Sequence, residues 1–267
     1  MQYKRCLVTF LDILGFREII GRENPGQIAT ILRELSSAAH PGEDIAEQFD
    51  ISFVTFSDNT VRAANIESET NRKYQDGILW HELYSLVHAQ ARLIGAGCLL
   101  RGGMTIGQIA VEDGLVFGPG LVRAYGLESE FAIYPRIVID PVVFDTLEND
   151  PLLRSKRHGL EGDREYIQQL VRCGSDGLYF VDYFRGILSE FSDEGEDVVF
   201  IEDHKALILK RCRSQERYDK ITAKLLWLAR YHNDIVRGLG EEWFAAREVE
   251  FDDHLISHNE LPLIYDL

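Results

Sequence analysis

Positive charge is scarce in this chain. Its 267 residues carry 28 Lys and Arg against 44 Asp and Glu, a formal net charge of −16. A general nucleic-acid binder needs a basic face, and this balance excludes one. An anionic small molecule would have to be held by a few local arginines or by a metal, against an unfavourable overall field. Cysteine is scarce too. Cys6, Cys98, Cys173 and Cys212 stand far apart and form no C-x-x-C, the usage of reduced, buried thiols rather than of a disulfide framework or a zinc site. No signal peptide and no apolar run of ~20 residues is present. The sequence therefore reads as soluble and cytoplasmic, with no membrane partner.

What is there is enough apolar material, 45% of residues, to bury a real core. Residues 4–12 read as a strand, and 26–38 as a helix with Ile28, Ile31, Leu32 and Leu35 at helical spacing. A hairpin follows over 49–56 and 60–66, turned at "SDN". Residues 74–95 carry the apolar stripe of a long helix. "CLLRGGMTIGQIAV" reads as a strand broken at Gly102 and Gly103. A short hairpin at Glu112–Gly114, a strand at 136–139 and a helix opening at Asp140–Pro141 complete this part. The order β-α-β-β-α-β-β-α-β predicts an α+β fold: a ferredoxin-like core, with an antiparallel-rich sheet and crossover helices. A charged, turn-rich stretch at 150–163 marks a boundary. Beyond it lie a strand in "GLYFVDYF", an acidic loop "SDEGED" and a helical segment of about 35 residues from 203, a mixed, largely helical extension. The division is 1–150 and 151–267.

Chemistry concentrates at two strand ends. "FLDILGF" places Asp12 in an apolar run that turns at Gly15, and "FVTFSDNTV" places Asp58 after a second apolar strand. A lone buried carboxylate costs several kcal/mol unless paired. Two carboxylates delivered to neighbouring strand tips suit hard cations such as Mg²⁺ or Mn²⁺. Backbone amides in the turn that follows, Gly15, Phe16 and Arg17, could hold phosphate oxygens. By local sequence alone, Asp58 could instead shape its turn and Asp12 cap the next helix. Candidate cations for a phosphoryl transition state are Arg17, Arg101, Arg123 and Arg136. Arg101 stands out because paired glycines beside it let backbone and ligand approach. Tyr125 could stack on a base.

Four stretches in order, "FLDILGF", "FSD", "LRGGMTIGQ" and "GLVFGPGLVRAYGLE", resemble the landmarks of class III nucleotidyl cyclases from about residue 5 to 145. Within that family the chain looks closest to the bacterial pyrimidine nucleotide cyclases of the anti-phage Pycsar system, uridylate and cytidylate cyclases. The resemblance implies that Asp12, Asp58 and the Ile13 carbonyl hold two Mn²⁺ or Mg²⁺ ions, and that a head-to-tail homodimer builds sites at its interface. It also implies a nucleoside triphosphate substrate and a cyclic nucleotide product read by a separate effector during phage infection. The base-reading positions of purine cyclases fall on Val54 and Leu115, and the transition-state asparagine and arginine on Val122 and Gly126. These departures favour a pyrimidine, UTP over CTP, with cyclic UMP as product. Cyclic CMP, a catalytically inactive nucleotide sensor and a metal-dependent phosphohydrolase are the competing readings. Other signals are discounted. His254 and His258 read as solvated, His81 and His88 as packing residues, the apolar face of 217–239 as core, and Asp176 as a turn residue.

Overall fold

The computed structural model describes residues 2–40, 42–192, 195–213 and 220–261. Eight strands form one sheet: β1 (Lys4–Ile13), β2 (Ile51–Phe56), β3 (Asn59–Asn65), β4 (Leu100–Glu112), β5 (Leu115–Phe117), β6 (Ile137–Ile139), β7 (Val171–Cys173) and β8 (Tyr179–Val181). Their order is β2-β3-β1-β4-β6-β8-β7, with β5 paired to β4. Every pairing is antiparallel except β4 with β6. The segment β2-β3-β1-β4 is the arrangement of a β-α-β-β-α-β unit, so the expected α+β, ferredoxin-like core stands. The two strands beyond residue 151 lengthen this same sheet past β6.

Helices α1 (Phe16–Arg22), α2 (Pro25–Ala39) and α3 (Glu43–Phe49) link β1 to β2, and α4 (Glu69–Tyr74) and α5 (Ile78–Gly95) link β3 to β4. The longer helices after these are α6 (Pro119–Gly126), α7 (Pro141–Asn149), α8 (Gly159–Leu170), α9 (Tyr183–Leu188), α10 (Glu196–Arg213) and α11 (Lys220–Leu239), the last followed by three short turns of helix among the described residues. No helix among the described residues is long and apolar enough to cross a membrane.

The period-2 pleat of β1 decides where the acid goes. Leu7 and Leu11 join the large core with Leu79, Leu83 and Leu86 of α5. Cys6, Val8 and Phe10 pack on the opposite face with Ala124 and Leu121 of α6. Asp12 continues that second row, so it emerges at the α6 side of the sheet. The glycines of β4 do not break the strand, contrary to the sequence expectation. A Cβ on Gly102 would stand 2.5 Å from the Phe10 carbonyl oxygen, and one on Gly103 would meet the Ala124 carbonyl. Their bareness lets β1 and α6 lie directly on an unbroken β4.

The helical segment of the extension starts earlier than the sequence suggests, at Glu196 rather than 203. Positions 193–194 of the acidic loop and 217–219 of the predicted 217–239 helix lie outside the described residues. His254 is not solvated: it is 4% exposed, and its imidazole meets the Glu250 carbonyl while its own carbonyl meets His232.

Between α10 and α11 a chain of hydrogen bonds has only one consistent proton arrangement. His232 Nε2 must donate to the His254 carbonyl at 2.8 Å. Its Nδ1 then accepts from His204 Nδ1 at 3.0 Å, and His204 Nε2 accepts from the Tyr183 hydroxyl at 2.7 Å. Both rings are neutral and fully buried. Burial holds His204 well below the usual imidazole range and brings His232 down to about 4. A depressed folded pKa means that the unfolded chain binds protons first as pH falls. Their stabilisation is complete above pH ~6.5 and declines towards pH 4. From His232 alone the loss is roughly 3 kcal/mol. Urea midpoints measured from pH 7 to 4 should fall steeply for the parent and less for a His204→Leu/His232→Leu double variant. Parallel curves would contradict this.

Candidate active site

Register brings the site together. Asp12 is the cross-strand partner of Asn59 on β3 and of Arg101 on β4, and the Ile13 amide donates to the Asp58 carbonyl at 3.3 Å. The β2–β3 turn is tight enough to hold Ser57 at φ 55°. Asp12, Ile13, Gly15, Phe16, Arg17, Asp58 and Arg101 therefore line one cleft of about 480 Å³, with Glu18 and Ile20. Gly15 stands at φ 78°, a left-handed conformation that favours glycine and turns the chain from β1 into α1.

Arg101 bridges the acids. Its Nε and Nη2 both reach Asp12 Oδ2 at 2.8 Å. Nη2 also lies 2.7 Å from Glu128 Oε1. That oxygen has no partner with hydrogen-bond geometry, so the contact is one of charge. Glu128 sits in a π-helical turn, Leu127–Phe131, directly after α6, and is 2% exposed. Burial pushes its carboxyl up to about 7, with Arg101 opposing and Asp12 reinforcing the rise. Asp12 is likewise raised, chiefly by burial; Arg101 opposes this, and the nearby Asp58 carboxylate adds to it.

Two carboxylates that line one cleft beside a backbone turn form an oxygen-rich pair. That donor chemistry fits hard divalent cations. Among the described residues no group of three or more His, Cys, Asp and Glu side chains is placed to hold a metal, so the pair would rely on backbone and substrate oxygens for the rest.

The other sequence candidates lie apart from the acids. Arg123 is held by Asp140, Nε to Oδ2 at 2.6 Å and Nη2 to Oδ1 at 3.1 Å. Arg136 is 1% exposed, paired with Asp176 and sandwiched by the rings of Tyr134, Phe180 and Trp227. Asp176 is thus the partner of a buried guanidinium as well as a turn residue. Tyr125 is exposed and meets Phe10 edge to face at 5.3 Å, two residues before Asp12. Val54 is half-buried on β2, and Leu115 is exposed on β5. Sequence reasoning missed Glu128 and Lys224, the latter a half-buried lysine of α11 within electrostatic reach of Asp12, Glu18, Arg101 and Glu128. Glu128 lay inside a quoted motif, "GLVRAYGLE"; for Lys224 no local signal exists.

No protein-family model matches the chain, and no curated protein matches it. Solved structures that resemble it include the guanylyl cyclase Cya2, at 12% identity and a TM-score of 0.39, covering 54% of this chain and 78% of that one. The monomeric guanylyl cyclase domain of the RhoGC fusion protein from the aquatic fungus Blastocladiella emersonii is 16% identical with a TM-score of 0.40, covering 67% and 95%. The adenylyl cyclase CyaB from P. aeruginosa is 16% identical with a TM-score of 0.37, covering 67% and 94%. At these scores the likeness is loose.

Proposed function

We propose that this chain is a nucleotidyl cyclase that converts a pyrimidine nucleoside triphosphate, UTP by preference, to its 3′,5′-cyclic monophosphate and pyrophosphate. The observation that carries the reading is the meeting of Asp12 and Asp58 at adjacent strand ends, beside the Gly15 turn and under Arg101. In the reaction the ribose 3′-hydroxyl gives its proton to solvent as its oxygen bonds to the α-phosphorus, the bond from that phosphorus to the bridging oxygen breaks, and pyrophosphate leaves. Asp12, Asp58 and the Ile13 carbonyl would hold the two Mg²⁺ or Mn²⁺ ions, whose chemistry is to acidify the 3′-hydroxyl and neutralise the polyphosphate. The amides of Gly15, Phe16 and Arg17 and the exposed Arg17 guanidinium bind phosphate oxygens. Arg101, fixed between Asp12 and Glu128, supplies cationic charge where the transition state develops its negative charge. Tyr125 offers a ring face to the base. Arg123 and Arg136, committed to Asp140 and Asp176, act on substrate only through the frame they brace.

Residues 1–150 would form the catalytic core, with 151–267 packed on it. Exposed apolar side chains near the cleft and on α6 and β5, Ile20, Phe56, Leu115, Val122 and Tyr125, suit cover by a second copy, head to tail, with Val54 and Leu115 facing the base. The likeness to Pycsar cyclases supports a messenger role in phage defence, with a separate effector reading the product. A specific observation favours the inactive sensor instead: Val122 is 71% exposed and offers no hydrogen bond where purine cyclases place asparagine.

Val54 and Leu115 carry no polar group to pair with a purine edge. Unmet buried polar groups cost ~1–3 kcal/mol, so discrimination of ~10–100-fold against purines is within reach. With equimolar ATP, GTP, CTP and UTP and Mn²⁺, mass-resolved products should be dominated by cyclic UMP. Cyclic AMP or cyclic GMP as the main product overturns the pyrimidine reading, and cyclic CMP only the uracil preference. Nucleotide binding without product establishes the sensor.

A further inference from the structure

The row of α11 residues spaced three and four apart crosses the end of the sheet. Tyr231 donates to Asp182, just past β8, at 2.6 Å. Trp227, one turn earlier, stacks on Tyr134 at 5.1 Å and 5° and lies against Phe180 and the Arg136 guanidinium. The Arg136 carbonyl accepts from the amide of Gly102, the residue after Arg101. Lys224 is the next residue back along this row, half-buried, and the Trp227–Arg136–Gly102 contacts seat this stretch of α11 beside the strand that carries Arg101. The charges its ammonium feels agree: Arg101, Asp12, Glu18 and Glu128. Three of these four, Asp12, Glu18 and Arg101, line the cleft.

The cleft needs such a group. Asp12, Asp58, Glu18 and Glu128 stand against Arg17 and Arg101, an excess of acid where a polyanion has to bind. Within residues 1–150 the other arginine candidates, Arg123 and Arg136, are spent on Asp140 and Asp176.

We propose that Lys224, delivered from α11 by the Trp227 anchor, is a phosphate-binding residue of this cleft that takes the β- and γ-phosphates of the substrate. The proposal rests on the nucleotide reading above and makes the extension part of the site. Burial and then Arg101 pull the Lys224 ammonium below the usual lysine range, with the three carboxylates pulling it back.

The test separates the two claims. Inorganic pyrophosphate, without metal, is titrated calorimetrically into the full-length parent, Lys224→Met, Lys224→Arg and the control Lys73→Met, which removes the same net charge from α4. Loss of one charge-assisted contact should weaken pyrophosphate binding about tenfold in Lys224→Met. Lys224→Arg should retain most of the affinity, and Lys73→Met all of it. Urea midpoints of the four proteins should agree, since methionine keeps the apolar stem. With UTP, Lys224→Met should raise KM by a similar factor. Equal pyrophosphate binding by parent and Lys224→Met, including binding too weak to detect in both, overturns the proposal even if the parent makes cyclic nucleotide. Absence of any cyclic product from the parent overturns the cyclase reading, while the titration still decides whether Lys224 binds phosphate.

Discussion

Asp12→Ala and Asp58→Ala should each lower cyclic nucleotide formation by ~1,000-fold or more, since a metal-assisted step that loses a ligand loses several kcal/mol of charge stabilisation. The two variants should differ in stability. Asp58 sits half-exposed in a turn, so its loss should leave the unfolding free energy from urea titration within about 0.5 kcal/mol of the parent. Asp12 is nearly buried and is bound to Arg101. Its removal relieves repulsion with Asp58 and Glu128, but takes one of two carboxylates from a partly buried guanidinium. The Arg101–Glu128 contact at 2.7 Å remains to compensate, so the net change should be small and the chain should fold. Parent-like turnover by either variant, with Mg²⁺ or Mn²⁺, would end the reading of these acids as the metal-binding pair.

The largest effect on stability is expected at Arg62. This guanidinium, on β3, is 0% exposed, and its partner Glu82 on α5 is 2% exposed. Nη2 meets Glu82 Oε1 at 3.0 Å and Nε meets Oε2 at 3.4 Å, while Nη1 donates to the Ala39 carbonyl at the end of α2. One side chain thus ties both long helices of that face to the sheet. Breaking a buried pair by removing one partner leaves a charge with neither water nor counter-ion, at about 3–5 kcal/mol. Arg62→Met should therefore lower the melting temperature by roughly 10 °C in a chain of this size. Replacing both partners, Arg62→Met/Glu82→Leu, removes the orphan and should recover most of that loss, because apolar substitutes for a buried pair are often neutral. A single variant within about 1 kcal/mol of the parent would show that the pair contributes little.

Much of this architecture was legible, and the failures have physical causes. Strand β1 was readable because it is a short, nearly unbroken apolar run, and the α2 stripe because its period is helical. Asp12 and Asp58 stood out because acids are rare in apolar strands. Gly102 and Gly103 were misread as a break. Glycine weakens an isolated strand, and only the close approach of Phe10 and Ala124, from elsewhere in the chain, explains why bare positions are needed here. His254 was misread as solvated, since its ring meets the Glu250 carbonyl and its own carbonyl meets His232, contacts that the local sequence pattern does not reveal. Arg123 and Arg136 carried the right charge for a phosphoryl site, yet Asp140 and Asp176 claim them. Glu128 meets Arg101 from a π-turn and Lys224 comes within electrostatic reach of the same groups from α11, both of them tertiary facts.

The position of β1 between β3 and β4 also has a consequence for synthesis. Asp12 and Arg101 are separated by 89 residues, and β4 is the last strand of the four-strand core to leave the ribosome. At ~5–20 residues per second, the edge of β1 that β4 will cover stays unpaired for about 5–20 s after β1 emerges. β3 arrives sooner and can shield only the other edge. During that interval "CLVTFLDIL" presents open backbone and apolar side chains to its surroundings, and the aspartate within it serves as the charge that interrupts an otherwise adhesive stretch. The same carboxylate thus guards the nascent chain before the fold gives it a partner.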